Sequence, residues 1–491
     1  MNQAITISVL VAGAVFAALA AVLGMAGAVH VTSRRPHGYF HLVFYAILFT
    51  VAFNGLLSDR DLTSNFLSLE DPGLLPRHPL MVLAQPLVSL LVMTVAGERI
   101  IAHWLRRDKT THPPQVLLIT FIVFWLGTVA APALFGAHPQ VSHDFVYPLI
   151  IAIAAVLATG VERELAFAAT RNALVLLMSA GLLLVPFKPG MVLDSSYMQG
   201  LLPGVPRFAG LAAHAVSMGT LAQLALICLL ATPFERAWLN RLAWLLSLTV
   251  LFLAQSKTAW LAFAICSACI ITVRSGPSFW RRVGDPMRPE FGILAVLIFI
   301  AALLAFGSLL TFGEIGARLS SFFGSAQGAQ FASLTGRDQI WAIAYDEWER
   351  NPVFGYGPGL WDASFRASIG MPNATDAHNQ FMDTLSRSGT VGALALVFYA
   401  LALLTLSVRY ARATGGVTLA LFLALALRCV SEVPLSLFGY GAELITQVLL
   451  LMALASAAGQ TVKRNTQAAL TPAHAAYARK AESRVTAGFR P

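Results

Sequence analysis

The sequence predicts an all-α polytopic membrane protein with one large helical loop on its outer side. Three observations carry that expectation. The chain of 491 residues is 57% hydrophobic, with a mean hydropathy of +0.70. Only 12% of its residues are charged, about half the share of an ordinary soluble globule. Its apolar residues gather in runs near the ~20 residues that cross hydrocarbon. These runs fall at 5–29, 39–57, 79–97, 115–136, 145–160, 171–187, 208–231, 237–254, 258–273, 291–311, 389–408, 417–433 and 438–458. Each is read as a helix, because a span must satisfy its own backbone groups where water is absent. The count is twelve or thirteen spans, with the charged side chains expected in the loops between them.

The first run contains Ala18-Leu19-Ala20, which looks like a cleavage site, but no Lys or Arg precedes Arg34. A signal peptide opens with a basic region, so a retained span is expected. Cys228, Cys266, Cys269 and Cys429 all lie in apolar runs. Cys266 and Cys269 have redox-motif spacing, yet inside a span they read as small packing residues.

The net charge of +9 reflects topology and not nucleic-acid binding. Loops carrying Arg34, Arg99, Arg163, Arg171, Arg236, Arg274 and Arg409, together with the tail, hold 22 of the 33 Lys and Arg, against 10 in the alternate loops. The positive-inside rule then puts the tail inside and the long loop outside. The chain divides into transmembrane helices with short loops over 1–311, an outer catalytic loop over 312–388, C-terminal spans over 389–458 and a basic cytoplasmic tail over 459–491.

The long loop is too patterned to be disordered. Over 337–350, Ile340, Trp341, Ala344, Tyr345 and Trp348 form one helical stripe, with Asp346, Glu347, Glu349 and Arg350 off it. Such a helix suits the bilayer surface. Asn351-Pro352 ends it, and Gly355, Gly357 and Gly359 turn the chain. A second helix is expected to start at Thr375, a good N-cap, and to run through His378 into the next span.

Several residues are candidates for chemistry. His378 falls in the first turn of that second helix, where the dipole disfavours imidazolium, although Asp376 pushes the other way. A neutral His there suits a general base; the bland reading is an interfacial His bonded to its own loop. Asn379 and Gln380 complete the Asp376–Phe381 motif. Arg337 follows Gly336 and opens a helix, which suits an anion site or a headgroup anchor. Lys257 lies where two apolar runs meet, and Arg207 precedes His214. Arg207, Lys257 and Arg337 can form an outward cationic pocket for a diphosphate, or snorkel separately. Arg428 and Glu432 are four apart on one helix, a spacing for an intramembrane ion pair. Asp59-Arg60-Asp61 has the D-x-D spacing of a divalent metal site.

The stretches Ser-Leu-Thr-Gly-Arg-Asp-Gln-Ile-Trp (333–341), Asn-Pro-Val-Phe-Gly-Tyr-Gly-Pro-Gly (351–359) and Ala-His-Asn-Gln-Phe-Met-Asp-Thr-Leu-Ser-Arg-Ser-Gly-Thr-Val-Gly (377–392) resemble the O-antigen ligase/polymerase family in residues, order and spacing. The resemblance covers about 200–390 directly. The family's Ser-Arg at the outer break is Ser256-Lys257 here, which keeps the charge but loses the bidentate fork. The resemblance implies a GT-C-like glycosyltransferase of the bacterial inner membrane, with its active site facing the periplasm. It implies an undecaprenyl-diphosphate-linked polysaccharide donor and, for a ligase, a lipid A–core acceptor completing lipopolysaccharide. It also implies an inverting reaction with no metal and no cofactor, which sets Asp59 and Asp61 aside.

Residue chemistry is compatible with those roles. A glycosyl diphosphate needs a deprotonated acceptor hydroxyl on one side and charge neutralisation of the leaving group on the other. His378 is the expected base, and Arg337, Lys257 and Arg207 the expected clamps. An O-antigen polymerase or a protein O-glycan ligase uses the same donor class, and these motifs separate the three poorly. A lipid or glycan transporter is the reading from another class. It predicts two similar halves with broken helices, and no such symmetry is visible.

Overall fold

The computed structural model describes residues 38–58, 60–62, 78–106, 114–195, 204–283, 337–371 and 374–460, with isolated residues between 15 and 30 and between 285 and 300. The expected spans at 5–29 and 291–311, Asp59, Gly336 and the tail from 461 lie wholly or largely outside the described residues. Within them the chain is an all-α polytopic membrane protein. In chain order the helices are α1 (Leu42–Leu57), α2 (Pro79–Arg106), α3 (Gln115–Phe135), α4 (Val146–Val156), α5 (Gly160–Leu184), α6 (Ala215–Ala231), α7 (Ala237–Leu253), α8 (Lys257–Val283), α9 (Arg337–Arg350), α10 (Ala363–Ser368), α11 (Gln380–Tyr410), α12 (Val417–Cys429) and α13 (Ala442–Gln460). Six of them are long and apolar enough to span a membrane: α2, α3, α5, α8, α11 and α13; α1, α4, α6, α7 and α12 are shorter apolar helices.

The centre is α6. From Met218 to Leu229 every residue is buried, and a helix apolar on all faces belongs in the interior. It packs against α5, α7, α8 and α12. A second layer joins α3 to α11, where the Phe124 and Tyr399 rings stack with centroids 4.7 Å apart. Gln447 of α13 donates to the Tyr399 hydroxyl at 3.0 Å, satisfying a polar group that is otherwise enclosed by apolar atoms. A π-helical turn over Leu126–Ala130 offers Gly127 to the α11 backbone, and Ser388 Oγ donates to the Thr128 carbonyl at 2.8 Å.

Not all charges sit in loops. Glu98 and Arg99 lie inside α2, and Glu162 and Arg171 inside α5. Buried Arg99 pairs with buried Glu162 at 3.3 Å. Glu162 also closes a capping box with Thr159, accepting from its N–H at 2.7 Å. Arg171 donates to the Thr232 carbonyl and lies 3.6 Å over the Phe234 ring. Pairing and helix-end carbonyls replace the water that charge demands, so α5 starts eleven residues before the apolar run at 171 that announces it.

The described part of the long loop, within 337–388, follows its pattern with two exceptions. Helix α9 has the expected bounds, but Tyr345 is exposed and Glu347 is buried. The apolar side of α9 rests on a small core of Ala344, Leu360, Trp361, Phe365, Ala374 and Ala377. Asp362 caps α10 by accepting from Phe365 N at 2.8 Å.

Candidate active site

Local backbone chemistry positions His378 first. Helix α11 does not begin at Thr375. Asn379 is its N-cap, accepting from Phe381 N at 3.0 Å and Met382 N at 3.1 Å, which satisfies the donors a helix start leaves open. His378 therefore stands just before the helix, with a left-handed φ of 47°. Such a conformation is uncommon for a residue with a side chain. Asp376 secures it, its Oδ1 accepting from His378 N at 2.7 Å.

The same carboxylate meets the ring. His378 Nδ1 lies 3.1 Å from Asp376 Oδ1, in ion-pair contact, and both side chains keep about a third of their surface open (30% and 27%). Contact with Asp376 raises the His378 pKa above the ordinary imidazole value; burial and Arg337 oppose this, and Glu432 reinforces it. The expectation of a ring held neutral by the helix dipole is thus corrected: the ring sits outside the first turn, beside a carboxylate. Burial works against ionisation of Asp376, but the His378 ring and backbone N–H outweigh it and hold the carboxyl below its usual range.

Arg337, at the start of α9, opposes protonation of the His378 ring through its charge. The two helices are tied by Trp341, whose Nε1 donates to the Ala377 carbonyl at 2.8 Å. The segment after α12 closes on the same point. Asn379 Nδ2 donates to the Val430 carbonyl at 3.3 Å, and Leu435 N donates to Gln380 Oε1 at 2.8 Å. This brings Glu432 within the field of Asp376 and His378, and burial raises its pKa first of all.

Arg428 does not pair with Glu432. Glu432 lies beyond the end of α12, and Arg428 bonds Glu443, which begins near the start of α13. The i, i+4 expectation fails because the helix stops at Cys429. His214 is the N-cap of α6, its Nδ1 accepting from Ser217 N at 3.3 Å. Its side chain keeps an exposed edge, but the surrounding protein lowers its pKa; Glu443 and Asp376 pull it up, and Arg207 and Arg428 push it down. His214 and His378 thus share Asp376 as an electrostatic neighbour, with Arg207, Arg428 and Glu443 acting on the first and Arg337 and Glu432 on the second.

Arg207 belongs to the short ladder Leu193↔Phe208, Asp194↔Arg207. It is buried and its Nε donates to the Ala254 carbonyl at 3.2 Å. Ala254 ends α7, and Gln255, at a left-handed φ of 49°, breaks the chain before α8. Gln255 Nε2 donates back to the Val205 carbonyl at 2.9 Å. Lys257 opens α8 at this break with its side chain exposed. The break therefore gathers Arg207 and Lys257, while no described contact links Lys257 to His378.

The glycines brace the site and do not enter it. Gly355 and Gly357 have left-handed φ values of 72° and 119°. A Cβ on Gly355 would lie 2.5 Å from the Arg387 carbonyl, and one on Gly357 would strike the His138 carbonyl. Gly355 fits against Gly389, the left-handed kink within α11. Tyr356 N and Gly357 N donate to the Ser386 and Arg387 carbonyls, each at 2.9 Å.

Three residues that matter here were named within motifs but given no role of their own from sequence. Arg60 places its guanidinium on four carbonyls, those of Met191 (3.0 Å), Gly210 (2.6 Å), Ala212 (2.6 Å) and Ala213 (3.0 Å), and so pins the strap carrying Arg207 and His214. Read as the middle of D-x-D, it is instead a staple, with Asp61 exposed beside it. Asp383 and Arg387 pair at 2.9 Å across one turn of α11; their i, i+4 spacing was the available signal.

A family model described as O-antigen ligase matches residues 242–397, from within α7 to within α11. No curated protein matches the chain. The matched segment contains Lys257, Arg337, the glycine turn and His378 in the order described, and over these residues the chain is similar to the O-antigen ligase family.

Proposed function

We propose that the protein transfers O-antigen polysaccharide from undecaprenyl diphosphate to lipid A–core oligosaccharide at the periplasmic face of the inner membrane, by direct inverting displacement. The observation that carries this reading is the histidine–carboxylate contact itself: His378 Nδ1 lies on Asp376, within the field of Arg337, in a segment that matches the O-antigen ligase family model. Asp376 holds the Nδ1 side of the ring, so Nε2 takes the proton from the acceptor hydroxyl. Arg337 and Arg207 meet the leaving diphosphate, with Arg428 completing the cationic wall; Lys257 flanks Arg207 at the break before α8. A diphosphate is a good leaving group once its charge is held, so no general acid is needed. One base and no nucleophile make the attack direct, with inversion.

The test is transfer by purified protein bearing His378→Ala. The side chain is partly open and its backbone is held by Asp376, so the variant folds. Loss of a positioned base lowers kcat by about 10²–10⁴-fold; near-normal transfer would remove His378 from this role. The polymerase reading is separated in a deletion strain. Bare core with polymer left on undecaprenyl diphosphate marks a ligase; core carrying a single repeat unit marks a polymerase.

A further inference from the structure

The peptide that precedes His378 is held from both sides by residues to which the proposed chemistry gives no part. Ala377 is fully buried. Its N–H donates to Asp383 Oδ1 at 3.2 Å, and its carbonyl accepts from Trp341 Nε1 at 2.8 Å. Asp383 is itself fixed. Its Oδ2 takes Arg387 Nε at 2.9 Å, and Arg387 Nη1 continues to the Pro358 carbonyl at 2.8 Å. The Asp383 and Arg387 side chains are 4% and 13% exposed, so little solvent competes for these bonds. The clamp therefore has one jaw on α11, braced by the glycine turn, and one on α9, which begins at Arg337.

We infer that Asp383 and Trp341 are positioning residues that clamp the Ala377 peptide and so set His378 relative to the helix of Arg337. His378 needs such a clamp because its left-handed φ of 47° is not one that a side-chain-bearing residue prefers. Without the clamp the peptide relaxes and the ring leaves the line between acceptor hydroxyl and diphosphate. Displacement of about 1 Å can cost roughly 10²-fold in rate. The donor's charges bind elsewhere, so the loss falls on kcat and not on donor KM. This inference rests on His378 being the base.

The experiment is a double-mutant cycle in purified full-length protein, scored by transfer kinetics. Asp383→Ala lowers kcat by about 10²-fold with donor KM held within about twofold. Added to His378→Ala it causes no further loss, because residues acting as a unit are not additive. Asp383→Asn, which keeps an oxygen for the Ala377 N–H but sets an amide donor against Arg387, gives a smaller loss than Asp383→Ala. Trp341→Phe, which keeps the ring and deletes only the donor, gives a smaller loss of the same kind and serves if Asp383→Ala does not fold. Losses that multiply with His378→Ala, or that appear in KM with kcat intact, overturn the clamp. If His378→Ala transfers normally, it is the base assignment that fails. The clamp is then read without activity, by site-resolved diethyl pyrocarbonate labelling of His378. A changed labelling rate in Trp341→Phe upholds it, and an unchanged rate rejects it.

Discussion

Gly355→Ala separates two costs that the structure assigns to the glycine turn. The first is conformational. Gly355 has φ +72°, and an L side chain in the left-handed region costs about 1 kcal/mol. The second is steric. The new Cβ would stand 2.5 Å from both the carbonyl carbon and oxygen of Arg387 and 2.6 Å from Gly389 N, about 1 Å inside ordinary carbon contact. All three atoms are backbone, so the turn must move away from α11. That motion strains the Tyr356 N to Ser386 O and Gly357 N to Arg387 O bonds, both 2.9 Å. Loss of two such bonds costs about 2 kcal/mol, giving about 3 kcal/mol in all. Gly370→Ala is the internal control: its φ is +68° but nothing lies within 4 Å of the added Cβ. It carries only the first cost, about 1 kcal/mol. Thermal unfolding in detergent should rank native, Gly370→Ala and Gly355→Ala in falling order, with the last lower by on the order of 5 °C. Transfer should fall with Gly355→Ala as well, because the turn accepts Arg387 at Pro358. Equal melting of the two variants would falsify the steric argument.

Two further outcomes follow from the charges around the base. Transfer needs unprotonated His378, and contact with Asp376 raises its pKa, so activity should rise with pH through a limb above the ordinary imidazole value. Asp376→Asn removes the raising influence and should move that limb to lower pH while lowering the plateau; a limb that stays in place would dissociate it from His378. In stability terms the same pair favours the folded state at pH below the free imidazole value and loses that contribution as pH rises through the folded one. Chelation with EDTA should leave transfer intact, and loss restored by a divalent cation would bring Asp59 and Asp61 back as ligands.

Some features of this protein were legible in the residues alone because they are local. Apolar run length exposed the spans, and the 3.6-residue stripe marked α9 with its bounds. Glycines in sequence marked the turn, and His378 and Arg337 stood out against an apolar background. Buried charge was harder to read. Arg99 finds Glu162 in another helix, and Arg171 finds a carbonyl 61 residues away, so neither had to sit in a loop. The start of α11 was misread at Thr375 because Asn379 offers a competing cap, and that shift moved His378 from a dipole-dominated site to a carboxylate-dominated one.

By itself the sequence determined the fold class, the loop that carries the candidate site, and the residue types able to move a proton and hold an anion. Periodicity, hydropathy and charge are properties of neighbours along the chain, and they need no folded partner. Only the tertiary structure decided which groups meet. It replaced Glu432 by Glu443 as the partner of Arg428, made Arg60, the residue between the metal candidates Asp59 and Asp61, a staple on four carbonyls, and clamped Ala377 between Asp383 and Trp341. Each of these is a contact between elements far apart in sequence or a backbone angle set by such contacts, and packing alone specifies them.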